Sequence, residues 1–255
     1  MSLPYSICIE VLFAEAGASA AERVRAAAAA GFAAVEMWHW STKDLDALED
    51  ALAETGVRLK GMVCEPLARI VDPASHERWL DGVSASLAVA RRLGAEAMIV
   101  QSGEVRLGIP REEQREALIG ALAAGAERVA GEGVRLLLEP LNTRIDHPGT
   151  FLDHTPEALE VVDAVGRREV ALLYDIYHSV TMGETPQRVL AGHVANVGHL
   201  HLADVPGRHE PGSGGLPWRS ILAWLESQGY HGHVGLEYWP THDTDDSLRT
   251  LRESL

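Results

Sequence analysis

The sequence predicts an α/β fold, a single (β/α)8 (TIM) barrel, and three observations predict it. Short strand-like runs alternate with longer helical runs eight times along 255 residues, with no Pro/Ser-rich linker between them. The strand runs are apolar throughout rather than alternating, as expected of parallel strands buried on both faces. The length suits one domain, here residues 1–255, near the upper end of single-domain size.

In order, Ser6–Glu10 reads as a strand and Ala20–Ala30 as a helix stopped by Gly31. Ala34–Met37 and Leu59–Val63 are the next strands, separated by a helix over Leu45–Glu54 that ends at Gly56. His76–Leu93 is a long amphipathic helix with Gly94 as its C-cap. Strand Ala97–Gln101 and helix Glu112–Gly131 follow, then strands Arg135–Glu139, Val170–Asp175, Val197–Leu202 and Val234–Glu237. Helices over Pro156–Val165, Thr185–Ala191, Trp218–Ser227 and Asp245–Glu253 separate or close them.

Composition removes several classes of function. Lys and Arg number 22 and Asp and Glu 37, a net charge of −15 that repels polyanions and disfavours a phosphate-gripping nucleic-acid binder. No basic segment leads into an apolar run, so no signal peptide and no membrane association are expected. The two cysteines, Cys8 and Cys64, sit in apolar surroundings and fit a reducing cytoplasm. Neither GxGxxG nor GxxxxGK[ST] occurs.

In such a barrel, chemistry sits at the C-terminal ends of the strands. Strands five to eight there carry Glu139, Asp175, His201 and Glu237 in turn. One acidic strand end is unremarkable; four ligand-type residues on consecutive strands form a set. Three crowded carboxylates repel one another and call for a divalent cation. Oxygen ligands with one imidazole suit Mn2+ or Mg2+, and admit Zn2+ or Co2+. Four protein ligands leave coordination positions open, the catalytic rather than the structural arrangement.

The segments Glu139-Pro140-Leu141-Asn142, Tyr174-Asp175-Ile176-Tyr177-His178, Gly198–Asp204, Pro206–Gly214 and Gly235–Tyr238 occur in the order seen in one family. The chain resembles the hydroxypyruvate isomerases, within the xylose-isomerase-like sugar isomerase/epimerase superfamily. The resemblance implies that Glu139, Asp175, His201 and Glu237 bind the metal and that Glu139 and Glu237 are the catalytic acid/base pair. It also implies that His178 and Arg208 contact substrate. Two departures are visible. Bacterial members often carry Gln where this chain has His201, and His there is closer to the ketose 3-epimerases. Trp38-His39-Trp40 is the other.

A metal that chelates the two oxygens of an α-hydroxy carbonyl acidifies the C–H between them. Two carboxylates on opposite sides can then pass the proton. Return to the neighbouring carbon gives an isomerase, and return to the opposite face gives an epimerase. A polyol dehydratase and an apurinic-endonuclease-type metallonuclease are the competitors on this barrel; the charge and the lone His among the ligands disfavour the nuclease. A non-catalytic sugar-binding barrel would leave the acid/base pair without a task. The single Arg of the Pro206–Gly214 loop suits a carboxylate better than a phosphate. The expected partner is therefore a small non-phosphorylated hydroxy-carbonyl compound, not nucleic acid; a homo-oligomer, dimer or tetramer, is left open. Glu36 reads equally as a mouth residue or a structural ion pair, and His199 as a deeper supporting residue. Trp38 and Trp40 read as a water-excluding wall or as packing.

Overall fold

The structure, a computed structural model, describes residues 3–255; Met1 and Ser2 lie outside the described residues. Eight short strands close a barrel in chain order, every neighbouring pair parallel. They are β1 (Tyr5–Cys8), β2 (Ala34–Glu36), β3 (Arg58–Val63), β4 (Ala97–Gln101), β5 (Arg135–Glu139), β6 (Val170–Asp175), β7 (Val197–Leu202) and β8 (Val234–Leu236). The predicted single (β/α)8 barrel is the observed fold.

The helices are α1 (Ala20–Ala29), α2 (Leu45–Thr55), α3 (His76–Leu93), α4 (Arg111–Val129), α5 (Thr155–Val165), α6 (Ile176–Thr181), α7 (Pro186–Val189), α8 (Trp218–Ser227) and α9 (Thr244–Ser254). Local sequence sets their ends. Ser19 and Glu22 form a reciprocal capping box on α1, Asp44 caps α2, and left-handed glycines stop α2, α3 and α5. The main apolar core lies between strands and helices. A small separate cluster of Val63, Ala97, Ile99, Leu137, Ala171 and Leu173 fills the barrel beneath its mouth.

Side chains alternate along a strand, so every second residue faces the barrel axis. Leu137 precedes Glu139, Leu173 precedes Asp175 and His199 precedes His201 by two, which stacks apolar or supporting layers under polar groups at the rim.

Several boundaries differ from expectation by one or two residues, and those at the barrel mouth bear on the site. The first strand ends at Cys8 because the amides of Val11 and Leu12 turn back onto its carbonyl. The last ends at Leu236, with Glu237 one residue past it. His178 lies on α6, a helix not foreseen in the sequence, which starts directly from β6 because the Asp175 side chain caps it.

The β6–β7 register shifts between Leu172 and Leu173, and Gly198 is the extra residue on β7. A Cβ at Gly198 would stand 2.6 Å from Leu137 Cδ2 and 2.8 Å from the Ala171 methyl. Gly198→Ala should therefore lower unfolding free energy by about 1–3 kcal/mol through overpacking, read as a lower urea midpoint at unchanged slope.

Candidate active site

The four strand-end residues converge. Glu139, Asp175, His201 and Glu237 are all buried, and each offers a ligand atom within 4.8 Å of the others. His201 joins them to a lower layer. Its Nε2 lies 2.6 Å from Glu36 Oε2, and the other Glu36 oxygen lies 2.9 Å from His199 Nε2. The Ser6 hydroxyl also donates to Glu36. Glu36 is thus not a mouth residue; it sits beneath the cluster, a buried carboxylate between two histidines. Burial opposes its ionisation, but His199 and His201 outweigh that and hold it well below the usual carboxylate range. Gly235 on β8 makes room, since a Cβ there would stand 2.5 Å from both Glu36 Oε1 and His201 Cδ2.

With Nε2 committed to Glu36, the Nδ1 of His201 points into the cluster. It lies 3.4 Å from Glu237 Oε2 and 3.8 Å from Glu139 Oε1. Among the described residues it is one of two buried side-chain polar atoms without a hydrogen-bond partner. A histidine tethered through one nitrogen to a carboxylate and bare at the other is the arrangement of a metal ligand. The donor set of three carboxylates and one imidazole therefore fits a hard or borderline divalent cation. Burial works against a charged His201, yet Glu237 and Glu36 push its pKa well above the ordinary histidine value. The negative field that does so is the field that would draw a dication to Nδ1 in place of the proton.

The two glutamates are held differently. Glu237 is gripped from both sides: the Trp38 indole N–H donates to Oε1 at 2.6 Å and Arg208 donates to Oε2 at 2.6 Å. Burial opposes ionisation of Glu237, but His201, Arg208 and Trp38 together hold its pKa below the normal range. Glu139 stands across the same cavity, in register with Gln101 of β4. Asp175 divides its oxygens. One caps α6 through the His178 N–H at 3.1 Å, and the other lies 3.6 Å from Arg208. Burial raises the Asp175 pKa, with Arg208 and His201 opposing it.

His178 and Arg208 both line the cavity of about 270 Å3 above the cluster, as do Trp38 and Leu141. The Asn142 backbone N–H donates to His178 Nδ1 at 3.2 Å, which leaves the proton of the neutral ring on Nε2. Burial, with Arg208 adding to it, pushes the His178 pKa down to about 4, so the ring is a neutral donor at pH 7. Arg208 has a positive φ of 58° in a loop tied down by Asp204. Asp204 accepts from the amides of Gly212 and Gly214 at 2.9 and 3.0 Å and from the Trp218 indole at 3.0 Å. The loop thus fixes a backbone conformation that a free chain seldom adopts.

Of the two tryptophans read as a wall, only Trp38 meets the site, where its ring also packs edge-on against Trp239. Trp40 donates instead to Ser86 on α3, at 3.0 Å. Asp146 and Tyr177 escaped sequence reading. The Asp146 carboxylate accepts from Asn142 Nδ2 at 2.6 Å and from the Tyr177 hydroxyl at 2.8 Å, and the Tyr177 ring lies 5.1 Å from the Arg208 guanidinium. A loop aspartate twenty-nine residues before Asp175 carries no local signal for this link. Cys64 is buried, as expected, its thiol pushed up to about 12 by burial.

Among the described residues no helix is long and apolar enough to cross a membrane. Residues 24–254 match the family model described as xylose isomerase-like TIM barrel. The "Hydroxypyruvate isomerase" of Escherichia coli K12 is 30% identical over 98% of each chain. The "2-oxo-tetronate isomerase" of Cupriavidus necator is 30% identical over 92% of each. The crystal structure described as AP endonuclease, family 2, from Brucella melitensis superposes with a TM-score of 0.91 at 29% identity, over 98% of both chains.

The role of Glu36 can be measured without turnover. Glu36→Gln removes the charge that orients His201, so Mn2+ affinity should fall about 10–100-fold while circular dichroism stays that of the wild type. Calorimetric titration checks both the affinity and the stoichiometry.

Proposed function

The chain belongs to the xylose isomerase-like TIM barrel family and is an isomerase of the intramolecular oxidoreductase type; within that class we propose that it is metal-dependent and moves a carbonyl along a small hydroxy-oxo acid. Hydroxypyruvate and tartronate semialdehyde are the proposed pair. The observation that carries this reading is the buried cluster in which His201 Nδ1 faces three carboxylates, two of them glutamates that flank one cavity.

In this reading Glu139, Asp175, His201 and Glu237 hold the divalent cation, Mn2+ or Mg2+ by donor type. When bound, the cation supplies a Lewis acid that polarises the substrate carbonyl and offsets the charge of the enediolate. The residues do the rest. Arg208 takes the substrate carboxylate through its guanidinium fork. His178, protonated at Nε2, donates to a substrate oxygen. Glu139 and Glu237 act as the acid/base pair, one removing the proton from the carbon that bears the hydroxyl and the other returning one to the former carbonyl carbon, while the hydroxyl proton passes to the former carbonyl oxygen. Trp38 keeps the Glu237 carboxylate oriented and shields it from water.

The nuclease name of the Brucella structure does not transfer well. A net charge of −15 opposes a DNA backbone, and the cluster holds one histidine among three carboxylates.

Incubating the Mg2+-loaded protein with hydroxypyruvate should give an aldehyde proton signal by NMR, lost on chelation; full activity in metal-free protein contradicts the reading. Glu139→Gln and Glu237→Gln should each cut kcat by about 10^2–10^4 in samples whose metal content is verified. A metal-replete variant of either that keeps near wild-type turnover removes that residue from the proton transfer. Arg208→Lys should lower kcat/KM for the acid roughly tenfold, about 1.4 kcal/mol, and affect a neutral ketose less.

A further inference from the structure

The cavity above the cluster does not stop at Glu139. Leu67, Gln101, Leu141 and His147 line it, and the same four residues line a second chamber of about 360 Å3. Strand order gives the direction of the cleft. Glu237 and Arg208 stand at the β7–β8 side, while Gln101 ends β4 and Leu67 and Arg69 follow β3 on the opposite side. A ligand gripped by Arg208 and reacting between the two glutamates therefore has its remaining length aimed past Gln101 into the second chamber.

That chamber is built. The loops after β4 and β5 pair across it, with Glu104 opposite Thr150, the Val105 amide on the Gly149 carbonyl at 2.8 Å and the Phe151 amide on the Gly103 carbonyl at 2.9 Å. Gly103, at φ +79°, lets this wall touch the β3 loop; a Cβ there would stand 2.9 Å from the Ala68 carbonyl. His147 is braced from behind by an edge contact with the His178 ring at 5.4 Å.

The lining states what it would hold. Leu67 and Leu141 offer apolar faces to C–H groups, and the Gln101 amide can both donate to and accept from a hydroxyl. Arg69 is matched by Glu104 at 3.3 Å, so the far end has no surplus positive charge and suits hydroxyls rather than a second anion. A three-carbon acid leaves the chamber to solvent, with room for on the order of ten waters. The two chambers together fall within the size that ligands larger than a triose occupy, about 300–1,000 Å3.

We infer that the second chamber is a subsite for hydroxylated carbons beyond the reacting pair, that Gln101 and His147 are specificity-determining residues at its entrance, and that hydroxy-oxo acids of four or more carbons are bound there in addition to the three-carbon pair, the added carbons raising affinity. The inference rests on the isomerase reading for its orientation, so its test uses binding rather than turnover. Non-isomerisable sugar acids of increasing length, glycerate, threonate and gluconate, are titrated calorimetrically into the Mg2+-loaded protein. Threonate and gluconate should bind at least tenfold more tightly than glycerate. Gln101→Ala and His147→Ala should each reduce that advantage about three- to tenfold, the weight of a hydrogen bond, and change glycerate affinity less than twofold. His147 lies on a loop, so its variant folds even if the strand variant does not. Equal affinities for the three acids, no measurable binding of any, or variants that weaken glycerate as much as the longer acids overturn the inference. Absence of carbonyl migration with hydroxypyruvate and with a four-carbon hydroxy-oxo acid, beside a length-dependent affinity for the inert acids, would instead overturn the isomerase reading and leave the subsite standing.

Discussion

Three carboxylates buried at one end of a closed barrel cannot all stay ionised unless positive charge stands among them. Much of the site answers that constraint. Glu139 and Asp175 end the adjacent strands β5 and β6, and Glu237 follows β8 with His201 of β7 between them, so the hydrogen bonding of the closed sheet forces their proximity. Arg208 reaches Glu237 and Asp175 from a loop with a strained backbone, and His201 faces all three. Glu36 fixes His201 from below and is itself fixed by Ser6 and His199. The lower carboxylate orients the imidazole, and the upper ones give its bare nitrogen something to share.

The same constraint separates the two glutamates. Glu237 is paired with an indole N–H and a guanidinium, which favour its charged form. Glu139 faces the cavity from the opposite wall, beside Gln101. Two carboxylates with different surroundings at one cavity have the chemistry that passing a proton from one carbon to the next requires. Loop Asp204–Gly214 and helix α6 bring Arg208 and His178 to the wall of the same cavity, and Gln101 lines both it and the second chamber.

The barrel was legible because its signal is periodic: apolar strands and helices alternate, and strands β4 to β7 carry a polar residue as the last to face inward. Glu139, Asp175 and His201 could be found from that rule alone, with Glu237 one residue past its strand. Glu36 could not be placed. A carboxylate ending β2 reads the same whether it faces the mouth or a histidine pair, and only the register of β7 against its neighbours puts His199 and His201 on either side of it. The helix that carries His178 was not foreseen, because nothing in Asp175-Ile176-Tyr177-His178 distinguishes a strand end from a helix cap. Asp146 meets Tyr177, and Gln101 lines the cavity, only because the fold brings together residues distant in sequence, which local pattern does not encode.

Mn2+ binding followed by electron paramagnetic resonance tests the central claim most directly. One Mn2+ per chain should bind the wild type, with affinity lost or greatly weakened in Asp175→Asn and in His201→Leu. Undiminished binding in those variants, or no Mn2+ binding by the wild type, would show that the four-residue cluster is neutralised in another way and would contradict the account.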